Sequence, residues 1–156
     1  MAEGYVMGLR EKIGHVPMVI ACASVIIYDE QRGILLQKRA DNGTWCYHGG
    51  SVEPNERVEE AAKRELFEEV GLTADKMTLY TVASGPDQHF FYPNGDEVHI
   101  VDTVFICKDF SGEMVLEQAE VVDCRWFAFD ELPDEISQAT RGPILHFAQE
   151  MLAKKC

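Results

Sequence analysis

The sequence predicts an α/β fold, a β-sheet covered by helices on both faces, and three observations carry that reading. A chain of 156 residues is about the length of one domain built on one hydrophobic core. Its hydrophobic content of 46% is ordinary for a folded protein and too rich for a disordered one. The apolar pattern also changes period along the chain, from β-branched runs to a four-residue stripe and back to strand-like runs. That mixture is expected of a sheet packed between helices. Residues 1–156 are therefore read as a single domain.

Taken in order, residues 1–14 form a short helix or an arm. Residues 18–28 and 33–38 are two β-branched-rich strands, joined through the turn Asp29-Glu30-Gln31-Arg32-Gly33 as a hairpin. A polar stretch, residues 39–44, leads into Trp45-Cys46-Tyr47-His48-Gly49-Gly50. Pro54-Asn55-Glu56 looks like a helix start with Asn55 as N-cap, and Gly71 is the stop. Between them Ala62, Leu66 and Val70 recur every fourth residue, a buried helical stripe. Strands follow at 77–83, 98–107 and 121–129, with a Gly/Pro/Asn-rich insertion at 84–95. Residues 130–135 are a turn or short helix, and 143–155 a final amphipathic helix.

Twenty-seven Asp and Glu against fourteen Lys and Arg give a formal charge of −13. Such a surface repels a nucleic-acid backbone, whose non-specific affinity comes from cations neutralising phosphates. It favours solubility, and part of the excess is a candidate cluster for divalent cations. Five cysteines (Cys22, Cys46, Cys107, Cys124 and Cys156) show no C-x-x-C pair. That spacing suits free thiols in a reducing cytosol better than disulfides or a zinc site. With no apolar signal core and no run long enough to span a bilayer, the expectation is a cytoplasmic protein without a membrane partner.

From Gly50 to Leu72 the chain reads GSVEPNERVEEAAKRELFEEVGL. It fits G-x5-E-x7-R-E-U-x-E-E-x-G-U at each fixed position: Gly50, Glu56, Arg64, Glu65, Leu66, Glu68, Glu69, Gly71 and Leu72. Average residue usage makes such a window a chance event on the order of 10⁻⁹. On a helix, Glu65, Glu68 and Glu69 fall within an arc of roughly 100°, beside the apolar stripe that would dock on the sheet. An anonymous pattern of this kind is most often a solvated acidic face. Like charges at i and i+4 nevertheless repel, and Mg²⁺ is a natural neutraliser because it takes hard oxygen ligands and bridges carboxylates to phosphates.

The window resembles the Nudix box of the Nudix hydrolase superfamily. The likeness extends to Leu35-Leu36-Gln37-Lys38-Arg39 followed by Trp45, and to Trp126-Phe127 before Glu131-Leu132-Pro133. It implies an α/β/α sandwich with a mixed sheet, the box forming a loop–helix–loop, and hydrolysis of a nucleoside diphosphate linked to another moiety. By the same resemblance Glu68 and Glu69 ligate metal with the Gly49 carbonyl. Glu65 is a ligand or the base, Arg64 orients a box glutamate, and Glu56 braces the loop. One departure is Tyr47-His48-Gly49-Gly50 where many relatives carry Leu-Pro-Gly-Gly. His48 is thus either a tolerated loop variation or a substrate contact at the mouth of the site.

Outside the box, Glu117 or Glu120 is positioned to supply a further carboxylate, Glu120 being taken as the catalytic helper. Arg39, with Lys38, is a candidate for substrate phosphates. Trp45 could stack on a base, although a core position is the commoner use of such a residue. The insertion Phe90-Phe91-Tyr92-Pro93-Asn94-Gly95-Asp96 would cover the substrate, make a homodimer contact, or simply form a hairpin. His15, His89, His99 and His146 show no ligand spacing and are read as structural. Pro86 lies near a proline of ADP-ribose-cleaving relatives. The expected function is a Mg²⁺-dependent pyrophosphohydrolase, with Mn²⁺ as a substitute ion. Its substrate would be a small soluble nucleotide such as ADP-ribose or a nucleoside triphosphate, with no nucleic acid polymer. The rival is a catalytically idle nucleotide-binding regulatory module; an isomerase on the same scaffold has no signature of its own here.

Overall fold

The computed structural model describes residues 4–155. Residues 1–3 of the expected arm, and Cys156, lie outside the described residues. The elements are α1 (Tyr5–Ile13), β1 (Met18–Asp29), β2 (Gly33–Arg39), β3 (Trp45–Cys46), β4 (His48–Ser51), α2 (Val58–Val70), β5 (Thr73–Ala83), β6 (His89–Phe91), β7 (Glu97–Ser111), β8 (Val121–Phe127) and α3 (Gln138–Lys154). A short 3₁₀ turn, Pro86–Gln88, precedes β6.

One mixed sheet runs β3-β2-β1-β7-β5, with β4 on β1, β6 on β7 and β8 on β2. The β1–β7 pairing is parallel and the others are antiparallel. The expected hairpin is present, with Asp29 opposite Gly33. Two apolar clusters follow from the alternation of strand side chains. Ala23, Val25, Ile27 and Leu35 pack against Ala62, Leu66 and Val70 of α2. Ile26, Ile34 and Leu36 pack against Ile144, Phe147, Ala148 and Met151 of α3. The sheet is thus covered on both faces, as the sequence pattern implied.

Several boundaries differ from expectation: β5 begins at Thr73 and not at 77, and β7 runs to Ser111 and not to 107. The box helix starts at Val58 with Arg57 as N-cap, its N–H donating to the Glu60 carboxylate at 3.2 Å. Asn55 lies two residues earlier in a turn at φ 67°, a left-handed conformation that asparagine tolerates and that breaks the helix before it begins. Of the two forms expected for residues 130–135, the structure shows the turn and not the helix. Helix α3 begins at Gln138, well before Pro143. Proline cannot donate to the carbonyl four residues back; here that carbonyl, of Ala139, accepts from the buried Gln88 amide at 2.6 Å. A long-range partner therefore replaces the hydrogen bond that proline removes.

Candidate active site

Helix α2 ends at Gly71, whose left-handed φ of 79° and N–H to the Phe67 carbonyl close the helix. Its apolar stripe is sealed against the sheet, and this fixes the rotation of the acidic stripe beside it. Glu65 and Glu69, four residues apart, are only 8% and 7% exposed. They face a cleft of about 780 Å³ that Gln37, Arg39, Gly49, Gly50 and Glu120 also line. Gly50 is required by contact: a β-carbon there would stand 2.5 Å from the Glu65 carboxyl carbon.

The carboxylates meet two kinds of partner. Arg64 donates to both oxygens of Glu56 at 2.7 and 3.0 Å, to Glu65 at 2.9 Å, to Glu68 at 3.3 Å and to the Ser51 carbonyl at 3.0 Å. Glu56 also accepts from the Glu53 N–H at 3.0 Å, and the Arg64 guanidinium holds its carboxyl below the usual range. Glu69 has no cation among these partners. It accepts from the Gly49 N–H at 3.0 Å and the Gln37 amide at 2.9 Å. Burial, with Glu65 and Glu120 adding like charge, pushes its carboxyl up to about 8. Burial also raises Glu65, against the pull of Arg64.

His48 does not sit at the mouth of the site. It is fully buried, and burial lowers it to about 4, so the imidazole is neutral. Its Nδ1 lies 2.5 Å from the Gln37 carbonyl oxygen. Because the Gln37 amide nitrogen already donates to Glu69, Nδ1 is the donor in that pair, and His48 steers Gln37 rather than substrate. Trp45 is likewise a core residue, packed edge-on to Phe127 at 4.8 Å between ring centroids, and it lines no part of the cleft. Of the two readings held open for each, the structure favours the one without substrate contact: the segment forms the short strands β3 and β4, which set Trp45 in the apolar cluster and His48 beside Gln37.

Arg39 does line the cleft and forms a two-pronged pair with Asp41 at 2.9 and 2.7 Å. Glu120 borders the same space, whereas Glu117 lies on an adjoining groove with Glu68 and gives its backbone N–H to the Glu69 carbonyl. Tyr92 and Pro93 reach the cleft, and Phe91 points to solvent. Pro86 is in the 3₁₀ turn and is not part of the cleft wall. Sequence reasoning missed Gln37, whose polar side chain in an apolar strand was the available signal. It also missed Val6, Met7 and Arg10 of α1, which line the same cleft.

The donor set fits a hard divalent cation, since Glu65, Glu68, Glu69, Glu120 and the Gly49 carbonyl offer only oxygens. The cradle that Gly50 leaves beside Glu65 keeps that carboxylate free of steric contact. These groups are not contracted around one point, however. The trio identified among the described residues with ligand atoms all within 4.8 Å lies elsewhere, at His89, Glu97 and His99.

Comparison with known proteins identifies the family. The NUDIX domain family model matches residues 18–147. The NAD-capped RNA hydrolases NudC of Salmonella typhimurium and Salmonella newport are 30% identical over 118 residues, 75% of this chain but 42% of theirs. The chain thus spans less than half the length of those curated relatives. A MutT NUDIX hydrolase from Burkholderia pseudomallei superposes with a TM-score of 0.71 at 32% identity, over 82% of this chain and 97% of that one. The E. coli ORF135 protein superposes at 0.59 with 26% identity, over 87% and 92%. On the box, the sandwich and these matches together, the chain belongs to the Nudix hydrolase family.

Proposed function

We propose that this protein is a divalent-metal-dependent hydrolase that cleaves the phosphoanhydride bond of a small nucleoside diphosphate derivative, with Mg²⁺ as the ion. The observation carrying this reading is the convergence of Glu65, Glu69 and Glu120 on one cleft large enough for a nucleotide. Glu65, Glu68, Glu69 and the Gly49 carbonyl would hold the ion, which polarises phosphate oxygens and lowers the pKa of bound water. The protein's own part is positional. Gln37, steered by His48, fixes the Glu69 carboxylate, and Arg64 fixes Glu65 and Glu68. Glu65 or Glu120 then takes the proton from the attacking water, in a site where fixed charges replace solvent.

The NudC relatives act on NAD-capped RNA, which raises the reading that the substrate is an RNA end. Two features favour a small molecule instead. The arginines lining the cleft are Arg10 and Arg39, and both are engaged, Arg39 with Asp41 and Arg10 with Asp96 and three carbonyls. A net charge of −13 also leaves no basic track for a polynucleotide. A dinucleotide pyrophosphate or nucleotide sugar needs only its own few phosphates neutralised. Side-by-side kcat/KM on ADP-ribose, NAD, nucleoside triphosphates and NAD-capped RNA, at moderate salt, tests the choice. The small nucleotides should win; a preference of about tenfold or more for capped RNA would contradict electrostatic exclusion of the polymer.

A further inference from the structure

The histidines at 89 and 99 have no ligand spacing along the chain, but the β6–β7 pairing sets them directly opposite each other. Directly opposed residues on one sheet face bring their side chains within contact. The two imidazoles stack with centroids 4.2 Å apart and planes 9° from parallel. Glu97, two residues before His99 and so on the same face, completes a trio. Its Oε2 lies 2.9 Å from Nε2 of His89 and 3.4 Å from Nε2 of His99. Val98 and Ile100, which line the catalytic cleft, alternate with these residues, so the trio faces the opposite side of β7.

We propose that His89, Glu97 and His99 form a second metal site, selective for a borderline divalent first-row ion of the zinc–copper class. Two ligand atoms held about 2.0–2.1 Å from one tetrahedral ion stand roughly 3.3 Å apart. The observed carboxylate–imidazole separations of 2.9 and 3.4 Å bracket that spacing, and all three ligand atoms lie within 4.8 Å of one another. Parallel rings do not aim their lone pairs at one point, and each must turn about its Cβ–Cγ bond to do so. With side chains 33% and 45% exposed, both rings have the space. Two imidazoles and one carboxylate suit zinc-class ions and leave a fourth position for water, whereas the all-oxygen box suits magnesium. The two centres therefore select different ions by ligand chemistry. The site would also tie β6 to β7, and the segment between those strands carries Tyr92, Pro93 and Asn94 into the wall of the catalytic cleft.

The test is calorimetric titration of the full chain with Zn²⁺ in excess Mg²⁺, on a Glu69→Gln background that weakens competition from the box. About one equivalent should bind. Affinity should fall at least about tenfold in His89→Gln and in His99→Gln, since loss of an outer-shell partner alone costs that much. It should be unchanged in His15→Gln and His146→Gln. Zn²⁺ should also shift the ¹⁵N resonances of the His89 and His99 Nε2 atoms and raise the Tm only where both histidines are present. Affinity indifferent to His89 and His99, or Zn²⁺ binding that leaves those two resonances in place, would overturn the proposal and leave a hydrogen-bonded His–Glu–His cluster.

Discussion

The two ends of the box helix carry the same residue type under opposite conditions. Near its start, Glu56 is clasped by Arg64 and held in the ionised form. Near its end, Glu69 is buried against the sheet and stabilised only by neutral donors, the Gly49 N–H and the Gln37 amide. The first arrangement satisfies itself and braces a loop. The second leaves a buried carboxyl without a cation, and burial makes it hold its proton until something positive arrives to take that proton's place. One motif thus contains a structural half and, on the proposed function, a chemical half, and only the surroundings tell them apart.

The largest expected effect comes from the chemical half. Glu69→Gln should lower kcat by roughly 10²–10⁴-fold, in the range of removing one key charged group. It should not lower the Tm of the metal-free protein near neutral pH, because the amide replaces a carboxyl that burial already holds largely protonated. A substantial loss of Tm would place Glu69 with the structural half. Arg64→Ala should lower both readouts: Tm falls, by a loss on the order of 1.5–3 kcal/mol for hydrogen bonds to charged groups, as Glu56, Glu65, Glu68 and the Ser51 carbonyl lose their donor, and kcat falls because Glu65 and Glu68 are no longer held. Unchanged urea unfolding in that variant would remove the brace from the account.

Smaller effects sharpen the boundary. Glu120→Gln should slow turnover by about tenfold or more if Glu120 takes a proton, while Glu117→Gln, outside the cleft, should change little. Equal effects of the two in steady-state assays would contradict the assignment. Asp102 offers a control away from the box: buried, and bonded by the Ser24 and Tyr47 hydroxyls, it is pushed up from 3.8 to about 6 by burial. Between those values the folded state keeps a proton that the unfolded state has released, so this carboxyl's contribution to stability falls as pH rises through the window. The difference between wild type and Asp102→Asn in urea midpoint should therefore shift in favour of the variant from about pH 4 to 6. A difference flat with pH would show that Asp102 is not desolvated.

The fold was legible because periodicity reports burial directly: Ala62, Leu66 and Val70 marked the docking face of α2, and β-branched runs marked β1 and β2. The box glutamates were legible because their spacing is local. What escaped depends on pairing between distant segments. His48 read as a loop residue until β4 was seen to pair with β1, Ser24 opposite Gly49. Trp45 was open to two readings, core residue or stacking platform, until β3 was seen on β2. His89 and His99 are ten residues apart in the chain and neighbours only through the hairpin register. The start of α2 was misplaced because proline and asparagine signal helix starts and turns alike, and here the turn prevails.

The central claim is that a buried, cation-poor carboxylate at Glu69 marks a metal-dependent hydrolytic site. Its most direct test is nucleotide release from ADP-ribose, NAD and nucleoside triphosphates by the wild-type protein, first in excess chelator and then with Mg²⁺ restored, beside Glu69→Gln under the same conditions. Turnover of at least one substrate should vanish in chelator and return with Mg²⁺ in the wild type, and it should stay depressed in the variant. Full turnover in chelator, or a variant that recovers with the wild type, would contradict the account.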